Sequence, residues 1–246
     1  WRAGAVVTMR RGVVAYGQYS NAKDPVSSNI FLVNANQNFD LTGTVQWEGG
    51  LKADLDNGRT QLTVAYFDIT RDDVLDRFAL DSATNIGGIT SRGVELASTV
   101  QVTSQARLGA NFAHTDAEYR PSANFVRFAG NRPPNVPRTT ANAWASYQDI
   151  AGLPVEVGGS ARFVGDRFGT NANAVTLRRY ALLDAYAAWT RGRLRATARI
   201  DNLTNTAFAS WADPFYLSQT DPSFLYANQI MLGAPRTFGL QIQVGF

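Results

Sequence analysis

The sequence predicts an all-β fold built as an antiparallel meander, and three observations carry that expectation. Strong helix formers are scarce while turn and strand formers abound: there are two Lys and four Glu against 21 Gly, 16 Asp and 11% aromatic residues in 246. Apolar residues recur at every second position over most of the chain. The connections between these periodic runs alternate between short turns and long polar stretches. A chain that is 45% apolar and 17% charged is also too apolar, and with a net charge of +3 too nearly neutral, for a disordered or coiled-coil protein.

About eleven runs read as strands, in chain order 3–8, 13–20, 45–53, 60–70, 92–102, 106–115, 139–147, 155–164, 180–189, 194–201 and 236–246. The first two meet at Arg10-Arg11-Gly12. The third places Val45, Trp47, Gly49, Leu51 and Ala53 on one face and Gln46, Glu48, Gly50 and Lys52 on the other. It turns into the fourth through Asp54 to Arg59, where Asn57-Gly58 is a strong hairpin signal. The fifth and sixth meet at Thr103 to Gln105, and the seventh and eighth at Ile150 to Pro154. The eighth alternates Val155, Val157, Gly159, Ala161 and Phe163 against Glu156, Gly158, Ser160 and Arg162. The ninth and tenth meet at Thr190 to Arg193, and the tenth sets Leu194, Ala196, Ala198 and Ile200 against Arg195, Thr197, Arg199 and Asp201. The last run places Phe238, Leu240, Ile242, Val244 and Phe246 on one face and Gly239, Gln241, Gln243 and Gly245 on the other.

The long connections are 21–44, 71–91, 116–138, 165–179 and 202–235, and each falls on the same end of the hairpins. That asymmetry belongs to an outer-membrane barrel, with short periplasmic turns and long extracellular loops. Alternation alone is common to a soluble sandwich and a lipid-embedded barrel. The content of the apolar face separates them: it is rich in Ala, Gly and Val, with Tyr19, Tyr147, Trp189 and Phe246 towards strand ends, as in a lipid-facing band with interfacial aromatic girdles. The expected fold is therefore an antiparallel transmembrane β-barrel meander, and residues 1–246 form a single portion of it. On this reading Arg195, Arg199, Asp201, Glu156, Arg162, Glu48, Lys52 and Glu95 face the lumen. Eleven strands leave the first and last running in the same direction, which does not close antiparallel, so an incomplete barrel is expected. With no initiator Met and no secretory pattern at Trp1, the chain is expected to start partway through a longer protein.

Composition also narrows the chemistry. Zero Cys excludes disulfides, thiolate metal sites and cysteine nucleophiles, and the single His114 leaves little scope for zinc. The 21 Arg are spread singly, which argues against nucleic acid as a partner. His114 is the one candidate general base; with the turn centred on Ser104 it stands opposite Val94, and Ser98 stands opposite Ala110, so no Ser-His pair forms and an interfacial histidine is expected. Asp72, Asp73, Asp76 and Asp81 do not fit a calcium loop, because Val74 and Ala83 occupy ligand positions; a solvated loop is expected.

Six strings occur in order: YGQYS (16–20), VQWEGGLKADLDNGR (45–59), ITSRGVELAS (89–98), NRPPNVPRTT (131–140), RIDNLTNTAF (199–208) and GAPRTFGLQIQVGF (233–246). Together they resemble the C-terminal half of the barrel of a TonB-dependent outer-membrane receptor of the ferric-siderophore type. The resemblance implies a barrel of roughly 22 strands with a plugged lumen, of which this chain supplies the last half. It implies energy-coupled uptake of ferric siderophores and no enzymatic activity. Iron would arrive only as a chelate, without a resident cofactor. The implied partners are outer-membrane lipid, the ferric siderophore, TonB through a missing N-terminal region that also carries the plug, and the barrel-assembly machinery through the last strand. In that strand Phe238, Leu240, Ile242, Val244 and Phe246 resemble the family's assembly signal; a plain lipid-facing strand has the same pattern.

Ligand contacts are expected from Trp211, Phe215, Tyr216, Phe224 and Tyr226 in the last long loop and from Arg132 and Arg167 in the two before it, where Arg120, Arg127, Arg178 and Arg179 also lie. Flat aromatics and guanidinium groups suit an anionic, aromatic iron chelate through stacking, cation–π contact and charge-assisted hydrogen bonds. Loop packing and girdle anchoring would use the same residues. Two other readings stay open at this level: a self-contained small barrel acting as a passive pore or lipid-face enzyme, and a soluble carbohydrate-binding β-sandwich.

Overall fold

The computed structural model describes residues 1–24, 41–79, 82–121, 126–213 and 229–245. In chain order the strands are β1 (Arg2–Arg10), β2 (Val13–Asp24), β3 (Thr42–Leu55), β4 (Thr60–Asp72), β5 (Leu75–Ala79), β6 (Ser82–Asn85), β7 (Gly88–Gln101), β8 (Ala106–Arg120), β9 (Thr139–Gln148), β10 (Val155–Val164), β11 (Arg167–Phe168), β12 (Thr176–Leu177), β13 (Tyr180–Arg191), β14 (Leu194–Asp201), β15 (Ala209–Asp213), β16 (Gln229–Leu232) and β17 (Thr237–Val244). Eleven of them form one sheet in the order β1-β2-β3-β4-β7-β8-β9-β10-β13-β14-β17, a meander in which each strand pairs antiparallel with its neighbours. The sheet is open, with β1 and β17 as its edges. Among the described residues there is no second sheet facing it, only three two-stranded hairpins, so the sandwich is set aside. No helix among the described residues is long and apolar enough to cross a membrane.

The tight connections lie at one end and follow from backbone chemistry. Asp56 and Asn57 take φ of 54° and 57°, a region Asp and Asn tolerate. Gly12, at φ 76°, lies so close to the Asp54 carbonyl that any Cβ would collide with it. At the other end the long connections are more ordered than the sequence suggests. Three of them carry the hairpins β5-β6, β11-β12 and β15-β16. β8 also runs five residues past its expected end, to Arg120. Backbone pairing continues there after the apolar alternation that marks a strand in sequence has stopped: Asp116, Glu118 and Arg120 occupy the alternate positions that Ala110, Phe112 and His114 hold lower down.

Register shows two unlike faces. One row of the sheet runs Leu51, Val64, Leu96, Phe112, Ala141, Phe163 and Ala181 across seven strands. The row next to it runs Lys52, Thr63, Ala97, Asn111, Asn142, Arg162 and Leu182 on the opposite face. All eight charged residues expected to face a lumen, from Glu48 to Asp201, share the polar face by this register. The apolar face is the open one: Trp47 is 61% exposed and Leu240 74%. The polar face shelters its side chains, with Ala65 at 6% and Leu182 at 7%, so the sheet coils around it.

Two devices pack that inner face. Aromatic rings of adjacent strands lie across glycines: a Cβ on Gly109 would strike the Trp144 ring, and one on Gly158 the Tyr186 ring. Charged groups are also held by hydrogen bonds within the sheet. Glu48 accepts hydrogen bonds from Tyr16 (2.7 Å), Gln18 (3.0 Å) and Gln46 (3.0 Å), and Lys52 sits 4.8 Å from the Tyr16 ring centroid. Glu156 accepts from Tyr186 (2.6 Å) and Arg195 (2.8 Å). On the outer face Trp1, Tyr19 and Trp47 stack in sequence, with ring centroids 4.8 and 4.4 Å apart, as an aromatic cluster near the loop end.

Candidate functional site

At the loop end three connections are tied into one assembly, and the ties are mostly asparagines. Above β8 the chain folds back so that Tyr119 N–H donates to Asn131 O and Gly130 N–H donates to Tyr119 O, both 2.9 Å. Ile86, Tyr119 and Phe128 bury themselves under this turn, with Val74 and Ile89 against them. The Tyr119 hydroxyl donates to Asn171 Oδ1 (2.7 Å), and Asn131 Nδ2 donates to Asn171 O (2.9 Å), which joins the 121–138 connection to the 165–179 connection. Arg132 and Asn173 then exchange two bonds: Arg132 N–H donates to Asn173 Oδ1 (3.0 Å) and Asn173 Nδ2 to Arg132 O (2.8 Å). Asn135 repeats the device toward the third connection, with Nδ2 donating to Ala212 O (2.8 Å) and Oδ1 accepting from Ala212 N–H (2.9 Å).

The two singled-out arginines complete the clamp. Arg132 is 6% exposed; its Nη2 donates to Asp116 Oδ1 (2.8 Å) and its Nη1 to Thr115 O (3.3 Å). Burial pulls its guanidinium below the ordinary arginine value and the Arg138 charge adds to this, while Asp116 pushes the other way. Arg167, 3% exposed, donates from Nη2 to Ala209 O and Ser210 O, and the Tyr180 ring lies 5.4 Å from its Cζ. Its Nη1 is buried without a hydrogen-bond partner. Trp211, at 41% exposure, follows directly on the segment that Arg167 grips.

The structure thus brings Arg132, Arg167 and Trp211 into one assembly. Phe215, Tyr216, Phe224 and Tyr226 lie outside the described residues, as does Phe246. Arg120 is exposed and paired with Asp72 at 2.6 Å, Arg127 sits 5.3 Å from the Phe128 ring centroid, and Arg178 and Arg179 are exposed. In the acidic loop Asp73 Oδ1 accepts from Asn85 Nδ2 (3.1 Å). His114 stands opposite Val94 and within 3.2 Å of the Thr139 hydroxyl, and Ser98 stands opposite Ala110.

Sequence reasoning missed the asparagines. Asn135 and Asn173 hold φ of 62° and 56°, and Asn202 and Asn205 hold 53° and 52°. Asn202, 4% exposed, accepts from Thr206 N–H (2.8 Å) and donates to Ala234 O (3.1 Å), pinning the start of the last connection beside its end. The readable signal was Asn placed inside long connections, where it tolerates positive φ and bonds nearby backbone.

Comparison with known proteins decides what kind of sheet this is. Residues 1–203 match the family described as TonB dependent receptor-like, beta-barrel. The chain belongs to the TonB-dependent receptor β-barrel family. The ferrioxamine B receptor of Salmonella typhimurium (strain LT2) is 29% identical over 217 residues, covering 85% of this chain and 30% of that protein. The ferrichrome outer membrane transporter/phage receptor of Escherichia coli K12 is 27% identical over 205 residues, covering 79% and 26%. Among solved structures, the siderophore receptor PiuA from Acinetobacter baumannii superposes with a TM-score of 0.82 at 21% identity, over 99% of this chain and 35% of that one. The chain therefore spans about a third of the length of the proteins it matches. As a TonB-dependent receptor barrel it is an outer-membrane protein, which assigns the apolar face to lipid and the polar face to the lumen. The tight turns are then periplasmic and the clamp extracellular.

Proposed function

We propose that residues 1–246 act as the C-terminal portion of the barrel of an outer-membrane receptor for energy-coupled uptake of ferric siderophores. The observation that carries this is the clamp: a receptor that grips a bulky chelate needs its extracellular connections held in one arrangement before the ligand arrives, and here Asn131, Arg132, Asn135 and Arg167 tie three of them together. Trp211 offers an exposed ring on that assembly for stacking. Arg132 and Arg167 serve mainly by positioning the loops, and Phe215, Tyr216, Phe224 and Tyr226 add aromatic surface from the same connection. The protein works as a receptor and not as an enzyme, with iron entering only as the chelate. The plug and the TonB contact come from outside these residues. Curated relatives named as ferrioxamine and ferrichrome receptors support this reading.

Titration of the intact receptor with a panel of ferric siderophores tests it. One member should bind saturably, and Trp211→Ala should weaken that binding about tenfold, in line with loss of one aromatic anchor. An unchanged Kd removes Trp211 from the site.

The exposed row Phe238, Leu240, Ile242 and Val244, with Phe246 next at the same spacing in the sequence, is read as the signal that the barrel-assembly machinery grips. Deleting Phe246 from the intact receptor should lower its level in the outer membrane without changing its transcript. An unchanged level leaves these residues as lipid-facing side chains and nothing more.

A further inference from the structure

We infer that the periplasmic rim of the lipid face holds anionic phospholipid of the inner leaflet at two basic turns, β1-β2 and β13-β14. The first turn carries Arg10 and Arg11, the second Arg191 and Arg193, and all four are exposed. The sheet aims one arginine of each pair at lipid. In β1, plain alternation would send Arg10 to the lumen with Gly4 and Thr8. The register slips there instead: Thr8 stands opposite Val14, Met9 is passed over, and Arg10 stands opposite Val13. Val13 in turn stands opposite Ala53, on the face of Trp47 and Leu51. The bulge thus re-aims Arg10 outward. Arg191 reaches the same face by alternation alone, two residues beyond Trp189 and opposite Leu194, which pairs with Val244. That spacing sets its backbone about 7 Å past a tryptophan of the interfacial girdle.

The protein supplies these arginines with no counter-charge. Among the described residues none of the four forms an ion pair, although Asp54, Asp56 and Asp149 lie in turns at the same end. Arg59, in the β3-β4 turn, differs from them: its Nη2 donates to Val102 O (3.3 Å). At the loop end of the same face the strand arginines are held by carboxylates, Arg92 by Glu118 at 4.0 Å and Arg120 by Asp72 at 2.6 Å. Unpaired positive charge on the lipid face therefore sits at the end that meets the periplasmic leaflet.

The surroundings of each pair decide the occupant. Guanidinium forks match phosphate oxygens in geometry and charge. Directly beside them stand exposed apolar side chains, Val7 and Met9 at the first turn and Trp189 and Leu194 at the second, which give acyl chains a surface to lie on. A soluble anion uses only the guanidinium groups, whereas a phospholipid uses both. Phosphatidylglycerol carries the phosphate charge without an offset, and phosphatidylethanolamine cancels it with its own ammonium, so the anionic lipid is the one these turns select.

Native mass spectrometry of the intact receptor in detergent tests this with phosphatidylglycerol and phosphatidylethanolamine of identical acyl chains. The wild type should bind phosphatidylglycerol at least about tenfold more tightly, in line with about fivefold per arginine beside an anionic headgroup. Arg10→Gln with Arg11→Gln should release one tightly held phosphatidylglycerol, and Arg191→Gln with Arg193→Gln another. Arg10→Lys with Arg11→Lys and Arg191→Lys with Arg193→Lys should each keep it, because the charge remains. Arg59→Gln removes a charge from the same end and should leave the number of bound lipids unchanged. Equal binding of the two lipids by the wild type, an unchanged phosphatidylglycerol count in both double glutamine variants, or an equal loss on Arg59→Gln overturns the proposal. The comparison of the two lipids needs no variant, so it stands even if a substitution impairs folding.

Discussion

Replacing Leu96 by Arg should cripple folding of the intact receptor into lipid vesicles, while Ala97→Arg, one residue along the same strand, should be tolerated. The two positions differ only in face. Leu96 lies between Val64 and Phe112 in an exposed apolar row near the middle of the lipid band; Ala97 lies between Thr63 and Asn111 on the face that carries Glu48, Glu95 and Arg162. An Arg at the bilayer midplane costs about 2–4 kcal/mol, which is the size of a large fraction of a domain's stability. An Arg at 97 points into the lumen beside side chains that already hydrogen-bond, and its cost is that of a crowded polar surface. The fraction folded as a function of urea, read by heat-modifiable gel mobility, checks this. Equal penalties at 96 and 97, or a larger one at 97, would contradict the assignment of faces.

Much of this architecture was legible because a barrel wall is written locally. Each strand from β1 to β17 that belongs to the main sheet announced itself by period-two alternation, and the turn at Asn57-Gly58 or Gly12 by residues that tolerate positive φ. Register followed too: centring one tight turn on Ser104 was enough to place His114 opposite Val94. What escaped was everything whose determinants are not local. The upper part of β8 pairs with β7 on one side and with the folded-back segment at Gly130 and Asn131 on the other, and nothing in the string Thr115 to Arg120 encodes that second partner. The hairpins β11-β12 and β15-β16 are two to five residues per strand, too short for a period to register.

The candidate site was half legible for the same reason. Arg132, Arg167 and Trp211 stood out by residue type, and the structure places all three in the tied connections. Both arginines are buried and bonded to the protein's own chain. Arg132 binds Asp116 and the Thr115 carbonyl, and Arg167 binds the carbonyls of Ala209 and Ser210. The asparagines that do most of the tying carry no charge and no aromatic ring. Asn135 is 77 residues from the Ala212 backbone it pairs with, a separation at which a single sequence holds no trace of the contact.

The largest expected effect is on iron acquisition by the cell. On the proposed function, a barrel wall with its extracellular connections pre-tied is half of a gripping device, and the energy for release inward comes through TonB. On that proposal, losing the protein should abolish import of its chelate and leave other iron sources untouched. Accumulation of radioactive iron from a panel of hydroxamate, catecholate and mixed ferric siderophores, in cells with and without the intact gene and with TonB depleted, measures this directly. For one member of the panel, uptake should fall to background on deletion, return with the intact gene, and vanish again on TonB depletion; uptake unchanged by the deletion across the whole panel would contradict a siderophore receptor.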